Sequence, residues 1–327
     1  MKPLIDLVAI GRAGVDLYSL DYGAPLESAK RFAKYVGGTA ANSVVGASRL
    51  GLKTSLVTRL SDDELGSFVF GFLKGEGVDV SHVKKDGRRK TGIVFAEVSP
   101  GRDGKFIFYR ENVGDLQVTR RDVPTKLIQE TRALLVTGTG LSRQPSFGTC
   151  LYAAKLAKEL GKEVIFNLDW RPSLWDMRAR ERVKRYAEMA GFSDIVIGNE
   201  GEYLAATGES KLADAFERFN KRPGTLVVTA GDRGSETRSS GEVQRAPGFP
   251  VPLLKGLGGG DGFIAGFLFG HLSGWGDLES ATFGNAVGAI VVTGHACSES
   301  MPRLAEVTTF LRRHGYNFNP KIGPSKR

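Results

Sequence analysis

The chain has 327 residues, 41% of them hydrophobic and 25% charged, and this ordinary globular composition excludes a wholly disordered protein. Its 45 Lys and Arg residues outnumber its 36 Asp and Glu residues, so the formal charge is +9, which favours anionic ligands. Two widely separated cysteines and four scattered histidines argue against a disulfide framework and a zinc site, and no apolar stretch approaches the ~18 residues of a membrane span.

Short apolar runs with glycine-rich turns succeed one another from the N-terminus onward. Each is rich in Val or Ile, as strands buried on both faces are, and they cover 4–10, 54–60, 133–138, 163–169, 194–198 and 225–231. Helices are predicted between them, over 40–50, 64–76, 146–160, 179–190 and 211–221. This alternation predicts an α/β fold with a mostly parallel central sheet.

Two segments, 14–37 and 90–114, lack the long helical period and interrupt the alternation. The second contains the runs 91–98 and 105–112, joined by the turn sequence SPGRDG, and therefore predicts an antiparallel pair of strands. Such strands, inserted into a parallel fold, are expected to form a lid or an oligomer contact. The last third predicts helices over 261–273, 278–294 and 303–313, followed by a polar tail, 317–327, that is expected to be disordered.

The strongest local motif is the run GLGGGD at 256–261, immediately before an apolar helix. Backbone N–H groups of consecutive glycines and of a helix start converge without side chains in the way, which suits a phosphate. Asp261 is expected to be ionised at pH 7 beside the helix N-terminus, and to accept the proton of a hydroxyl that attacks phosphorus. The alternative is that Asp261 is simply the helix N-cap. A P-loop is excluded because no Gly-Lys-Ser or Gly-Lys-Thr occurs.

A second glycine pair, Gly37-Gly38, stands before the first long helix together with Asn42. The glycines permit close approach of the backbone to a ligand, and the amide of Asn42 both donates and accepts hydrogen bonds, as sugar hydroxyls require. The alternative is an ordinary turn before a helix rich in small residues.

Two arginines lie outside any obvious helix face. Arg171 follows a predicted strand, where loops of parallel sheets bind ligands, and Arg110 ends the inserted strand pair. A guanidinium group is a bidentate partner for a carboxylate or a phosphate, so the pair predicts an acidic substrate. The alternative is that both form exposed ion pairs.

Asn199 and Glu202 come directly after another predicted strand. An Asn and a Glu three residues apart at a helix start can hold a hydrated magnesium ion through its waters. A capping box, which has the same spacing, explains the pair equally well.

Taken together, these motifs resemble the ribokinase-like (PfkB) carbohydrate kinases over nearly the whole chain. The matching pieces occur in the family's order: GRAGVD at 11–16, Gly37-Gly38 with Asn42, Asn199 with Glu202, GGGD at 258–261, and the helix with Asn285. The resemblance implies one α/β kinase domain over 1–316, with lid segments at 14–37 and 90–114. It also implies transfer of the γ-phosphate of ATP, with Mg²⁺, to a sugar hydroxyl.

The resemblance also assigns expected roles to single residues. Asp261 is the expected base, and the amides of Gly258, Gly259 and Gly260 form the expected anion hole. The expected substrate-binding residues are Asp16, Gly37, Gly38, Asn42, Tyr109, Arg110, Asp169 and Arg171. The expected nucleotide-binding residues are Asn199, Glu202, Thr229, Gly231, Gly234 and Asn285, and Glu202 is also expected to hold Mg²⁺ through water.

Within the family, the segments 108–116, 167–175 and 289–302 are most similar to kinases of keto-deoxy sugar acids. The substrate implied first is 5-dehydro-2-deoxygluconate, an acid of inositol breakdown, and the alternatives are 2-keto-3-deoxygluconate or another sugar such as fructose. Lys255 stands where the family carries an acid, which predicts weaker activation by potassium. Gly259 and Thr229 also depart from the family, which carries an alanine and often a lysine there.

The expected partner is therefore a small sugar acid, and neither a nucleic acid nor a membrane is expected as a partner. The protein is expected in the cytoplasm. A homodimer is expected to form through the lid. The basic clusters at 84–90 and 178–185 lack the interleaved aromatic residues of nucleic-acid-binding surfaces and predict solvated faces. A non-catalytic sugar- or nucleotide-binding protein is the rival from another class, indicated only by Lys255 and Gly259.

Overall fold

The computed structural model describes residues 4–101, 104–219 and 224–316. The strands are β1 (Ile5–Ile10), β2 (Gly14–Ser19), β3 (Phe32–Gly37), β4 (Thr54–Ser61), β5 (Val83–Asp86), β6 (Gly92–Ala96), β7 (Phe106–Tyr109), β8 (Thr131–Thr137), β9 (Glu163–Asn167), β10 (Ile195–Asn199), β11 (Thr225–Thr229), β12 (Ser235–Ser239) and β13 (Glu242–Ala246). The helices are α1 (Thr39–Leu50), α2 (Glu64–Gly75), α3 (Thr125–Glu130), α4 (Ser146–Glu159), α5 (Ala179–Ala190), α6 (Glu200–Thr207), α7 (Leu212–Phe219), α8 (Gly259–Leu272), α9 (Asp277–Thr293) and α10 (Leu304–Arg313).

The large sheet has the strand order β13-β12-β11-β10-β9-β8-β1-β4-β5 in the described part of the chain. Its pairs from β11 to β5 are parallel, and β12 and β13 add an antiparallel edge. The predicted α/β class and mostly parallel sheet are confirmed. Strands β5, β12 and β13 were not predicted, because they are short edge strands with mixed polar sequences rather than apolar runs.

Alternate residues of each central strand belong to two separate hydrophobic cores. In β1, Leu7 and Ala9 belong to the core on one face of the sheet, whereas Val8 and Ile10 belong to the core on the other. This follows from the two-residue period of a strand, and it explains why these strands are apolar throughout rather than alternating. Helices cover both faces and leave the strand ends free to carry polar residues.

The lid is a four-stranded sheet with the order β3-β2-β6-β7. Strand β2 pairs antiparallel with β3 and parallel with β6, and β6 pairs antiparallel with β7. The predicted pairing of the two inserted runs is confirmed. Residues 102–103 of the predicted turn and the tail 317–327 lie outside the described residues.

Helix α8 is apolar on all sides and is buried between α1 and α9, as such helices are. Its packing fixes the position of its N-terminus, which points at the carboxyl ends of the central strands. Within the described residues, no helix combines the length and the apolar composition needed to cross a membrane.

Candidate active site

Three adjoining spaces lie between the lid, the carboxyl ends of the parallel strands and the N-terminus of α8. The lid-side cavity, of about 50 Å³, includes Arg12, Asp16, Asn42, Thr139, Asp169, Arg171 and Asp261 among its lining residues. The central cavity, of about 300 Å³, includes Asn167, Asp169, Arg171, Asn199, Glu202, Gly258, Gly260 and Asp261. The outer groove, of about 470 Å³, includes Thr229, Gly231, Phe249, Gly259, Gly260, Phe263 and Asn285.

Asp261 lies in the first turn of α8 and faces both the lid-side and the central cavity. The helix begins one residue after Gly258, which is its N-cap, so the N-cap alternative for Asp261 is wrong. The Asn42 amide donates a hydrogen bond of 2.6 Å to Oδ2 of Asp261. Ser298 in turn donates one of 2.5 Å to the amide oxygen of Asn42. Asn42 and Asp261, which the resemblance assigns to substrate binding and to catalysis, are therefore in direct contact.

The carboxyl group of Asp261 has its pKa raised to about 6, first by burial and then by the charge of Asp169, while the bond from Asn42 acts in the opposite direction. The expectation that the helix N-terminus controls this group is corrected, because desolvation outweighs it. A pKa near 6 still leaves the group mostly ionised at pH 7. A carboxyl group whose pKa lies this close to neutral pH is suited to proton transfer.

The loop before α8 is held by Lys255, which is only 1% exposed. Its ammonium group donates a hydrogen bond of 2.6 Å to the carbonyl of Leu257 and lies 3.8 Å from Sγ of Cys297. Gly258 has φ = 86°, and a side chain there would bring Cβ to 2.6 Å from Sγ of Cys297. The glycine is therefore required where the loop turns into the helix.

Asp16 is buried at the lid-side cavity, and the hydroxyl of Tyr18 donates to its Oδ2 at 3.2 Å. Its other oxygen accepts no hydrogen bond from the described residues, and burial raises the pKa of the carboxyl group. A Cβ on Gly37 would overlap this carboxylate, and one on Gly38 would overlap the carbonyl of Arg12. The two glycines thus make room for the cavity wall, and neither lines the cavity itself.

Asp169 and Arg171 follow β9 and line both inner cavities. Asp169 is buried with φ = 38°, a left-handed conformation that a non-glycine residue adopts at a cost and that is typical of functional sites. Thr139 donates a hydrogen bond of 2.9 Å to Asp169, and the Arg171 guanidinium lies 3.4 Å from its carboxylate. Arg171 is also 3.9 Å from Glu202, so it lies between the two acids.

Asn199 and Glu202 form a complete capping box at the start of α6. Glu202 also lines the central cavity. The same side chain therefore caps α6 and lies at the site. Burial raises the pKa of Glu202 to about 7, and Asp169 contributes in the same direction although Arg171 opposes it. No group of three or more acidic, His or Cys side chains surrounds a metal position in the described ranges. One carboxylate with neighbouring oxygen donors is nevertheless the usual protein share of a magnesium–phosphate site.

Tyr109 and Arg110 do not reach the cavities that contain Asp261. Tyr109 is 62% exposed on the outer face of the lid, against Phe95, because side chains alternate along β7 and Phe106 and Phe108 face inward. Arg110 is buried in an ion pair of 2.5 Å with Asp115 and borders a neighbouring cleft. The structure thus separates both from the remaining predicted substrate-binding residues.

The outer groove contains Thr229, Gly231 and Asn285 of the predicted nucleotide-binding set. The Asn285 amide donates to the hydroxyl of Ser235 at 3.0 Å and to the carbonyl of Pro247 at 2.9 Å, so this side chain also ties α9 to the antiparallel edge. Gly234 does not line the groove, because it packs against the backbone near Ala246.

Several residues at the site carried no role in the sequence prediction. They are Arg12, Tyr18, Thr139, Phe106, Phe108 and Cys297. The two phenylalanines had a usable signal, since the two-residue period of a strand places them on one face. Arg12 directly follows the β1 strand, where ligand-binding loops begin, and this also could have marked it. Thr139 and Cys297 come from distant segments, and only the fold brings them together.

The model of the pfkB family of carbohydrate kinases matches residues 4–304. A protein of Bacillus licheniformis named 5-dehydro-2-deoxygluconokinase is 38% identical over 313 residues, which are 94% of this chain and 95% of that protein.

Solved structures share the fold. A sugar kinase of Pyrococcus horikoshii in complex with ATP is 28% identical, with a TM-score of 0.81 over 93% of this chain and 97% of that one. A structure from Escherichia coli in complex with ATP and Mg²⁺ has a TM-score of 0.85 at 23% identity, over 95% of this chain and 100% of that one.

Proposed function

Since this chain belongs to the pfkB family of carbohydrate kinases, we propose that its substrate is 5-dehydro-2-deoxygluconate, with ATP as the phosphate donor and Mg²⁺ as the metal ion. The chain is thus a phosphotransferase that acts on a sugar hydroxyl. The observation that carries the proposal is Asp261, a buried base held by Asn42 at the point where the lid-side cavity meets the glycine-rich start of α8.

The reaction follows from this arrangement. The carboxylate of Asp261 accepts the proton of a sugar hydroxyl, and the hydroxyl oxygen forms a bond to the γ-phosphorus of ATP. The bond from that phosphorus to the bridging oxygen of the β-phosphate breaks, so that ADP and the phosphorylated sugar acid are the products. Backbone N–H groups at the start of α8, at Gly258–Asp261, stabilise the phosphate oxygens, a contribution worth about 10²–10³ in rate per donor at comparable sites.

The residues around Glu202 fit a magnesium ion. The raised pKa of this carboxyl group reflects burial beside the acidic Asp169, a surplus of negative charge that a cation would offset. Glu202 would hold the ion through water, with Asn199 beside it. When bound, Mg²⁺ supplies positive charge to the phosphate oxygens, which no P-loop lysine provides here.

The choice of a sugar acid rests on the named relatives and on two arginines of the lid-side cavity. Arg12 and Arg171 line this cavity beside three aspartates, and each can donate two N–H bonds to a carboxylate. The outer groove, lined by Phe249, Phe263 and Asn285, has the apolar walls and polar end that suit a nucleotide base.

Release of ADP from ATP and Mg²⁺ in the presence of single sugar acids tests this function. We expect turnover with 5-dehydro-2-deoxygluconate at a kcat/KM at least tenfold above that with 2-keto-3-deoxygluconate or fructose, and a phosphomonoester in the product. Equal or greater efficiency with fructose would contradict the proposed substrate. Absence of ADP release with every compound of the panel would favour a binding protein instead.

We also propose that two chains associate through the outer face of the lid. Ile107 and Tyr109 are 47% and 62% exposed there, on the edge strand β7. An edge strand with apolar side chains favours pairing with another chain. A second lid would cover these side chains and leave the inward face, with Phe106 and Phe108, at the cavity.

A further inference from the structure

Arg12 occupies an unusual position for a charged side chain. It directly follows β1, lines the lid-side cavity, and its side chain is only 11% exposed. Its guanidinium group lies 5.4 Å from the ring centroid of Phe108, a residue of the lid strand β7. Its ionic contact is Asp16 at 3.5 Å, and it donates no hydrogen bond to any residue that the structure describes. The donors of a guanidinium at a ligand cavity therefore remain available.

The other two arginines near the site occupy different positions. Arg171 lines the central cavity as well and lies between Asp169 and Glu202, on the side where phosphate would be transferred. Arg110 is paired with Asp115 and borders a different cleft. Arg12 is therefore the arginine confined to the sugar end of the site.

A second buried guanidinium group, that of Arg110, lies close enough to Arg12 for the two charges to interact. Burial lowers the pKa of Arg110, the ion pair with Asp115 opposes this, and the positive charge of Arg12 lowers that pKa further. Two atoms of the buried Arg110 guanidinium, Nε and Nη1, have no hydrogen-bond partner in the described part of the chain. Each of the two guanidinium groups faces one aspartate, Asp16 or Asp115, and retains donors, but only Arg12 presents its donors at the lid-side cavity.

We propose that Arg12 is the residue that makes this enzyme specific for an acid, by binding the carboxylate of the keto-deoxy sugar acid. The Phe108 ring holds the guanidinium plane, as arginine stacks on aromatic faces, and the carboxylate accepts two parallel N–H bonds. This places the carboxylate at the Arg12 end and the reacting hydroxyl at the Asp261 end of the same cavity. The inference rests on the proposed function and deepens it.

The test compares the sugar acid with the corresponding alcohol, in which CH₂OH replaces the carboxylate. With the acid, Arg12→Gln should raise KM roughly 10- to 100-fold, the scale of a lost charge-assisted contact, while kcat changes little. With the alcohol, the same variant should match wild type. Arg12→Lys should recover part of the loss, because it restores the charge without the bidentate geometry.

Arg31→Gln is the matched control, since Arg31 is a lid arginine with a 72% exposed side chain that pairs with Asp21 away from the cavity. It should leave both KM values unchanged. Equal losses on acid and alcohol in Arg12→Gln would overturn the role of Arg12 alone. A wild-type enzyme that used acid and alcohol equally well would instead overturn the proposed substrate class, and the role of Arg12 with it.

Discussion

Asp261 is part of a short polar chain that runs from Ser298 through Asn42 to the carboxylate. All three side chains are buried, so the hydrogen bonds cannot be replaced readily by water. Burial disfavours the ionised form of Asp261, and the hydrogen bond from the Asn42 amide partly offsets this effect. Asn42 thus lines the lid-side cavity and also lowers the pKa of the carboxyl group that we propose as the base.

Asn42→Ala should shift the acid limb of the pH profile of kcat/KM toward neutral pH. In wild type, kcat/KM should rise with pH through about 6, where Asp261 of the free enzyme loses its proton. Without the bond from Asn42, a cause that lowers this pKa is gone, so a higher pH is needed to ionise the base. The measurement is kcat/KM for the sugar acid from pH 5 to 8.5. An unchanged or downward-shifted limb would show that Asn42 does not act on the base.

The structure predicts different outcomes for the two arginines that the sequence singled out together. Arg110→Ala should lower the free energy of unfolding by about 3–5 kcal/mol, because it leaves Asp115 buried without its partner. Arg171→Ala should lower kcat/KM by roughly tenfold or more with a much smaller loss of stability, since this side chain is one-third exposed at the cavity. Urea unfolding and steady-state kinetics separate the two. A stable Arg110→Ala variant with a raised KM for the acid would restore the original prediction.

At the scale of elements, the loop that precedes α8 is held in place by the buried ammonium group of Lys255. Lys255 is buried and its ammonium group holds the Leu257 carbonyl, so its possible orientation into solvent is excluded. Two unit charges ~4 Å apart repel by about 4 kcal/mol at an effective dielectric constant of 20. A monovalent cation next to this ammonium group is therefore strongly disfavoured.

Potassium should consequently activate this enzyme less than twofold. The measurement is kcat in a KCl titration at constant ionic strength, with choline chloride as the replacement salt. Sodium chloride serves as the matched control for a nonspecific salt effect. Activation of several-fold by potassium alone would mean that a cation site persists beside Lys255.

The main elements could be predicted from the sequence because their signals are local. Each central strand is an apolar run buried on both faces, and the predicted bounds of α1, α5 and β4 agree with the structure within a residue or two. The edge strands β12 and β13 could not, because a half-exposed hairpin with sequences SETRS and EVQRA resembles a loop. They join the large sheet through the pairing of β12 with β11, and β13 pairs only with β12 in the described part of the chain.

Asp261 and Asn42 could be singled out from the sequence because each stands in a local glycine-rich motif, and the structure places both at the lid-side cavity. A residue's place at the site was harder to predict where it depends on the direction in which the side chain points. Tyr109 and Arg110 lie next to the right strand, but the alternation along β7 and the pairing with Asp115 direct them elsewhere. Arg12 was part of a matched motif, yet its place at the cavity depends on the lid that folds back over β1.

At the scale of the whole molecule, the two faces of the lid have different surroundings: one faces the candidate active site and the other the proposed dimer interface. Its inner face bears Asp16, Phe106 and Phe108, and its outer face bears Ile107 and Tyr109. One face of the lid is therefore a wall of the lid-side cavity, and the opposite face is the surface that we propose for the dimer.

Ile107→Glu should convert the proposed dimer to a monomer, because it places a charge on the apolar outer face of an edge strand. Sedimentation velocity at several protein concentrations measures this. Leu278→Glu provides a control, since Leu278 is an exposed apolar residue on α9, outside the lid. A wild-type chain that sediments as a monomer at all concentrations, or a variant that remains dimeric, would contradict the lid interface.

The most direct test of the central claim is the turnover of Asp261→Asn with 5-dehydro-2-deoxygluconate, ATP and Mg²⁺. The amide keeps the shape of the side chain and can still accept the bond from Asn42, but it cannot take the proton of the hydroxyl. We expect kcat to fall by about 10²–10⁴ while calorimetric binding of the sugar acid changes little. Asp277→Asn, at the N-terminus of α9, is the matched control and should retain full activity. A wild-type kcat in Asp261→Asn would contradict the assignment of Asp261 as the base.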